Sequence, residues 1–216
     1  MTRMTHMPPD IAAKIHAGVD RLGLNLPGGA EAQFAAYLAL LAKWNRVYNL
    51  TAVRDASQMV TQHLLDSLAV LPHLGSFASL ADVGSGGGLP GIPLAIARPA
   101  MAVTLIEANQ KKATFLQQAK IELKLDNVSI HYGRVEDLKP LSPFGAVISR
   151  AFSDLALFVE VAGHLLAPGA PLLAMKGVQP QEEIARLPDD WRVTSSIPIV
   201  VPGLDAQRHL ITIEKK

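Results

Sequence analysis

The chain has 216 residues, 49% of them hydrophobic and 18% charged, with a formal net charge of +1 and no cysteine. These values fit one α/β domain, or one domain with an extension, and exclude a disordered chain. They also exclude disulfides, thiolate metal sites, a thiol nucleophile and any global field that gathers nucleic acid, so an RNA-binding surface has to be a local patch. Residues 1–10 lack the apolar core of a signal peptide, and no apolar run is long enough to cross a bilayer, which predicts a soluble cytoplasmic protein.

Helical spacing of Ile11, Ile15, Val19 and Leu22 predicts a first helix over Pro9–Leu22. Pro27-Gly28-Gly29 breaks the chain. A second helix follows over Ala30–Val47, with Phe34, Leu38, Leu41 and Trp44/Tyr48 on one stripe. A third is expected over Gln58–Leu74, with Leu64, Leu65, Leu68 and Leu71 apolar. These helices precede the first strand, so residues 1–77 are expected to form an N-terminal helical cap on a core of residues 78–216, in one compact unit. Strands are expected at 79–83, 102–107, 127–132, 144–149, 171–175, 192–200 and 208–214. Helices are expected at 90–98, 110–124, 153–166 and 180–187. Such alternation predicts an α/β fold with a parallel sheet. The last two strands are too close for a helical crossover and must form an antiparallel hairpin around Pro202-Gly203.

Residues Leu80–Pro93 carry the densest functional signal. The apolar run Ser79–Val83 leads into Gly84-Ser85-Gly86-Gly87-Gly88-Leu89-Pro90-Gly91 and then a helical pattern. Glycines let backbone N–H groups approach a ligand, and a loop entering a helix favours an anionic group. Gly86, Gly88 and Gly91 satisfy the dinucleotide pattern G-x-G-x-x-G, but in poor register: Gly84 follows the strand, and from there the sixth position is Leu89. Asp82-x-Gly84-x-Gly86-x-Gly88 is instead the pattern of S-adenosylmethionine (SAM) methyltransferases. Glu107 ends the next apolar run, about 20 residues on, where an acid bonds ribose hydroxyls in either cofactor class. Seven strands with a final hairpin match the class I SAM-methyltransferase (Rossmann-like) layout.

Further stretches resemble one family: Tyr48-Asn49-Leu50-Thr51, His63-Leu64-Leu65-Asp66-Ser67, Gly133-Arg134-Val135-Glu136, Ser149-Arg150-Ala151-Phe152 and Lys176-Gly177. From about Tyr37 onward the chain is similar to the bacterial 16S rRNA guanine-N7 methyltransferases of the G type, also called glucose-inhibited division protein B. The resemblance implies methyl transfer from SAM to N7 of the guanine at nucleotide position 527 of 16S rRNA. It also implies a SAM site of Gly84, Gly86, Leu89, Glu107, Val135, Glu136 and Arg150, with 16S rRNA or the small ribosomal subunit as partner. No metal, no membrane and a monomeric state are expected.

Guanine N7 carries an in-plane lone pair and no proton, so no general base is needed and none is assigned; Arg150 is the one candidate for a catalytic contribution. Without a cysteine the chain cannot methylate carbon 5 of a pyrimidine through a covalent adduct. Arg150 at a strand end could bond the SAM carboxylate or an RNA phosphate. Arg46, Arg54, Lys176 and Arg208 are the RNA candidates; Lys111-Lys112 reads as ordinary surface. Phe152 reads equally as a base-stacking ring or as core. His63, Asp66 and Ser67 share one helix face, which reads as a polar network joining cap to sheet, with its role open. The alternatives are a SAM enzyme acting on a small molecule or protein, an NAD-dependent oxidoreductase, and a non-catalytic RNA-binding assembly factor.

Overall fold

The computed structural model describes residues 9–150 and 152–216. Most of the stretch read against a signal peptide, and Ala151 of the Ser149–Phe152 motif, lie outside the described residues. Helix α1 (Pro9–Arg21) buries Ile11, Ile15 and Val19 on one side, and Asp10 and Arg21 suit its dipole at either end. Gly29, at φ +84°, makes the turn into α2 (Ala30–Tyr48). That helix buries Phe34, Tyr37, Leu38 and Leu41 and ends at Asn49 in the left-handed region. The expected stripe does not stay buried along its length: Tyr48 emerges 42% exposed.

The predicted third helix is corrected in form. Asp55 accepts a hydrogen bond from the Gln58 N–H and starts α3 (Ala56–Met59). The run then passes through a π-helical turn (Val60–Leu65) into α4 (Asp66–Leu68), with a separate 3-10 turn at Leu71–His73. The Asp66 N–H donates to the Thr61 carbonyl five residues back, which is the π geometry.

Seven strands form one sheet in the order β3-β2-β1-β4-β5-β7-β6. They are β1 (Ser79–Val83), β2 (Ala102–Glu107), β3 (Val128–Tyr132), β4 (Ala146–Ser149), β5 (Leu172–Lys176), β6 (Trp191–Pro198) and β7 (His209–Lys215). The first five run parallel; β7 is antiparallel to both β5 and β6. The expected final hairpin is therefore present, with β7 inserted beside β5 and Gly203 at φ +76° in the turn. The connecting helices are α5 (Gly91–Ala97), α6 (Gln110–Leu123), α7 (Leu155–Ala162) and α8 (Gln181–Ala185), each somewhat shorter than predicted. The end of the predicted 153–166 helix is a 3-10 turn, Gly163–Leu165.

Strand alternation divides the core between the two faces of the sheet. Leu80, Val103, Leu105, Ile148, Leu173 and Leu210 pack with α1, α2, α5 and α6. Ala81, Val83, Val147, Leu172, Ile211 and Ile213 pack with α7 and Trp191. Because β1 pairs with β2 on one side and β4 on the other, connections diverge there and leave a crevice at the carboxyl ends of these strands.

Candidate active site

The glycine loop sits at the end of β1 and is fixed from three directions. The Gly84 and Ser85 N–H groups donate to the Ile106 carbonyl of β2. The Asp82 carboxylate accepts the Gly91 N–H at 2.9 Å, which holds the start of α5. From the N-terminal helices, the buried Tyr37 hydroxyl donates to the Gly87 carbonyl at 2.6 Å. Gly84 (φ +71°) and Gly86 (φ +57°) both adopt the left-handed region. A Cβ at Gly86 would meet only the Gly84 carbonyl, at 3.9 Å, so the loop leaves open space at that point.

Glu107, at the end of β2, faces this loop. One carboxylate oxygen accepts the Gly86 N–H and the other the Asn109 N–H, both at 2.8 Å. Each oxygen retains acceptor capacity beyond the bond it makes. Thus Gly84, Gly86 and Glu107 come together as the spacing predicts. The Gly133 N–H donates to the Glu107 carbonyl and brings the Gly133–Glu136 stretch alongside. Val135 is buried in the core against β1 and α7. Glu136 is exposed, 3.4 Å from Arg134, and its own backbone N–H together with that cation holds its carboxyl below the usual range. Leu89 is buried in the core that includes the N-terminal helices.

The second half of the site lies across the crevice, over β4, β5 and β7. Asp66, 2% exposed, accepts from Arg208 Nε at 2.7 Å and from Arg150 Nη1 at 3.1 Å. Arg150 also donates to the Gln62 carbonyl, and Arg208 to that of Gln207. With Gln62, His63, Met175 and Lys176 these residues line a cleft of about 390 Å³. Of the His63–Asp66–Ser67 face, Asp66 reaches the sheet side through Arg150 and Arg208, whereas His63 Nε2 lies 2.7 Å from Thr51 Oγ1 in the loop after α2 and the Ser67 hydroxyl donates to the His63 carbonyl one turn back. Burial, and then Arg150, lowers the His63 pKa, so the imidazole is neutral near pH 7.

The remaining candidates divide. Lys176 lines the cleft, but its ammonium is bound by Glu183 at 2.8 Å and by the Phe152 and Ser153 carbonyls. Phe152 stacks on Phe158 with ring centres 4.9 Å apart, which is a core contact. Arg46 is exposed, and Arg54 is exposed with Nη2 donating to Asn49. The sequence reading assigned no part to Tyr37 or to Glu183. Tyr37 lies outside the stripe predicted for α2, and only the fold brings its hydroxyl to Gly87; Glu183 sits in a short polar helix and only the fold pairs it with Lys176. Among the described residues no group of His, Asp and Glu could hold a metal ion, and no helix is long and apolar enough to cross a membrane.

The family described as rRNA small subunit methyltransferase G matches residues 30–211. The chain belongs to this family. A ribosomal RNA small subunit methyltransferase G from Aromatoleum aromaticum is 59% identical over 208 residues, covering 94% of this chain and 99% of the relative. One from Methylobacillus flagellatus is 57% identical, covering 92% and 95%. Among solved structures, the O-methyltransferase from Bacillus cereus in complex with SAH superposes with a TM-score of 0.61 at 18% identity, covering 95% of this chain and all of that one. The O-methyltransferase TomG from Streptomyces achromogenes, in complex with SAM, gives 0.60 at 19% over the full length of both chains. These likenesses establish the class I methyltransferase fold with its antiparallel final hairpin, as predicted from the strand pattern.

Proposed function

We propose that this chain transfers a methyl group from S-adenosylmethionine to N7 of a guanine in 16S rRNA, at nucleotide position 527. We further propose that it works in the cytoplasm as a monomer. What carries the reading is family membership over residues 30–211, on a crevice with a glycine loop on one side and an arginine-lined cleft on the other. The donor set fits the cofactor. Open space at Gly86 admits a ligand, and Glu107, oriented by two N–H groups, has lone pairs left for ribose hydroxyls. Gly84, Leu89, Val135, Glu136 and Arg150 complete the proposed SAM site. Arg46, Arg54, Lys176 and Arg208 are the proposed RNA contacts. Lys176 and Arg208 contribute less than Arg46 and Arg54, because Glu183 and Asp66 engage them.

When bound, SAM supplies an electrophilic methyl group. The chain's task is then position. N7 has no proton to remove, so the neutral imidazole of His63 and the engaged carboxylate of Asp66 are not needed as bases. Rigid strand ends fix the distance between loop and cleft, and orientation is the main lever on the barrier. An arginine fork over guanine O6 and N7 would occupy the nucleophile. Arg208 therefore serves a phosphate, Arg150 stays with the cofactor, and Asp66 holds both guanidinium groups in place.

The test is mass-spectrometric mapping of methylated nucleosides in 16S rRNA from cells with and without the gene. Loss of one N7-methylguanine, restored by the wild-type gene and not by Gly86→Asp, is the expected result. Asp at position 86 would strain a left-handed position and set a second carboxylate against Glu107. An unchanged map would refute the RNA assignment and turn the search to small-molecule or protein substrates.

A further inference from the structure

The end of α2 presents an aromatic surface that the proposed chemistry does not use. Val47 is 69% exposed and Tyr48 42% exposed. Apolar side chains at the edge of a catalytic crevice mark a binding surface when they are backed and flanked by matching chemistry. Tyr48 is backed: its ring lies 5.2 Å from Trp44, which packs edge-on against Phe115 of α6 at 5.7 Å. The ring therefore stands on a fixed aromatic stack. The same segment carries cations: Arg46 is exposed two residues before Tyr48, and the exposed Arg54 guanidinium donates to Asn49, the residue after it, at 3.0 Å. Between Lys43 and Ala56 the only carboxylate is Asp55, and that group is committed to capping α3. Lys111 and Lys112 lie one turn before Phe115, at the start of α6.

A short path of bonded residues joins this segment to the cleft. Three residues beyond Tyr48, Thr51 contacts His63, and three residues beyond His63 is Asp66, which holds Arg150 and Arg208. Asn45, on the preceding turn of α2, fixes the connecting loop by accepting the Thr51 N–H and donating to the Val53 carbonyl. A molecule with net charge near zero thus keeps two exposed arginines on the segment that carries Tyr48.

We propose that Tyr48 is a base-stacking platform for unpaired RNA next to the target nucleotide, with Arg46 and Arg54 neutralising the flanking phosphates. The occupant is single-stranded RNA, because the surface pairs an exposed π-face with cations that suit a phosphate backbone. The inference rests on the reading of this chain as an rRNA methyltransferase and adds the surface that delivers the substrate.

The experiment compares Tyr48→Ala, Tyr48→Phe and the double variant Arg46→Gln/Arg54→Gln with wild type. For each it measures SAM affinity by calorimetry, KM for a small-subunit RNA substrate, and the salt dependence of RNA binding. Tyr48→Ala is expected to raise the RNA KM about tenfold, the lower range for one lost stack, with SAM affinity within twofold of wild type. Tyr48→Phe keeps the ring and is expected to retain the RNA affinity that Tyr48→Ala loses. The double arginine variant is expected to flatten the slope of log affinity against log salt by about 1.4, at roughly 0.7 per single-strand phosphate contact. Any of three results overturns the platform: an unchanged KM in Tyr48→Ala, a loss in Tyr48→Phe equal to that in Tyr48→Ala, or an unchanged salt slope in the double variant. A wild-type protein that methylates no rRNA substrate overturns the underlying reading instead, and is distinguished by that control.

Discussion

Asp82 closes the end of β1 with a fully buried carboxylate. One oxygen accepts the Gly91 N–H and the other has no partner. Burial raises its pKa from 3.8 to about 7. Between these values the unfolded chain releases a proton that the folded chain keeps, so the unfolded state binds fewer protons and stability falls as pH rises. Asn at this position can still accept from Gly91 and does not titrate. Relative to wild type, Asp82→Asn is expected to gain roughly 1 kcal/mol per pH unit from about pH 4 to 7, and then level off. Urea unfolding of both proteins without cofactor, from pH 5 to 8, reads this directly; a constant offset would remove Asp82 as the source. The sequence showed Asp82 only as the first letter of a motif. Motif spacing placed Gly84, Gly86 and Glu107 together because all three sit at adjacent strand ends, where sequence distance maps onto space. Asp82's burial and Tyr37's reach to Gly87 depend on neighbours 9 and 50 residues away, which spacing does not encode.

At the scale of elements, the run from Ala56 to Leu68 differs most from its sequence reading. Hydrophobic periodicity marks a helix, but nearly every residue from Met59 to Leu71 is buried, so no polar face reveals a change of pitch. The π turn adds a residue to one turn and so shifts the face that follows. His63 then meets Thr51 on the N-terminal side while Asp66 meets Arg150 and Arg208 on the sheet. Those arginines come from just past β4 and from the approach to β7, and Asp66 bridges them. Removing it would leave two partly buried cations facing each other. Both arginine side chains are 27% exposed, so solvent moderates the loss. Asp66→Ala is expected to cost about 2 kcal/mol, below the usual range for breaking a fully buried pair. In a double-mutant cycle with Arg208→Ala, the coupling is expected to be at least about 1 kcal/mol. Additive losses across the four proteins in urea would mean the contact holds nothing together.

For the whole molecule, strand direction was largely legible, since alternating strands and helices favour a parallel sheet and a short last connection forces antiparallel pairing. The insertion of β7 between β5 and β6 was not, because hairpin pairing leaves open which of its strands docks on the sheet. The division at residue 77 is a proposal about folding, and it has a testable form. Phe34, Tyr37, Leu38 and Leu41 of α2 are fully buried, and they share a core with Leu80, Ile92 and Phe115 of the sheet and its helices. Each such side chain contributes about 1.5–3 kcal/mol when taken from water. Their combined loss approaches the whole net stability of an ordinary domain, about 5–15 kcal/mol. Tyr37 and Leu41 also pack against Gly87, so the glycine loop itself leans on the N-terminal helices. A fragment of residues 78–216 is therefore expected to lack a cooperative unfolding transition and to bind no SAM, while the full chain unfolds in a single transition that includes α2. Cooperative melting and SAM affinity in the fragment would show the reverse: that the N-terminal helices are an independent addition to a self-sufficient core. In that case the contacts at Gly87 would have to act on substrate entry and not on folding.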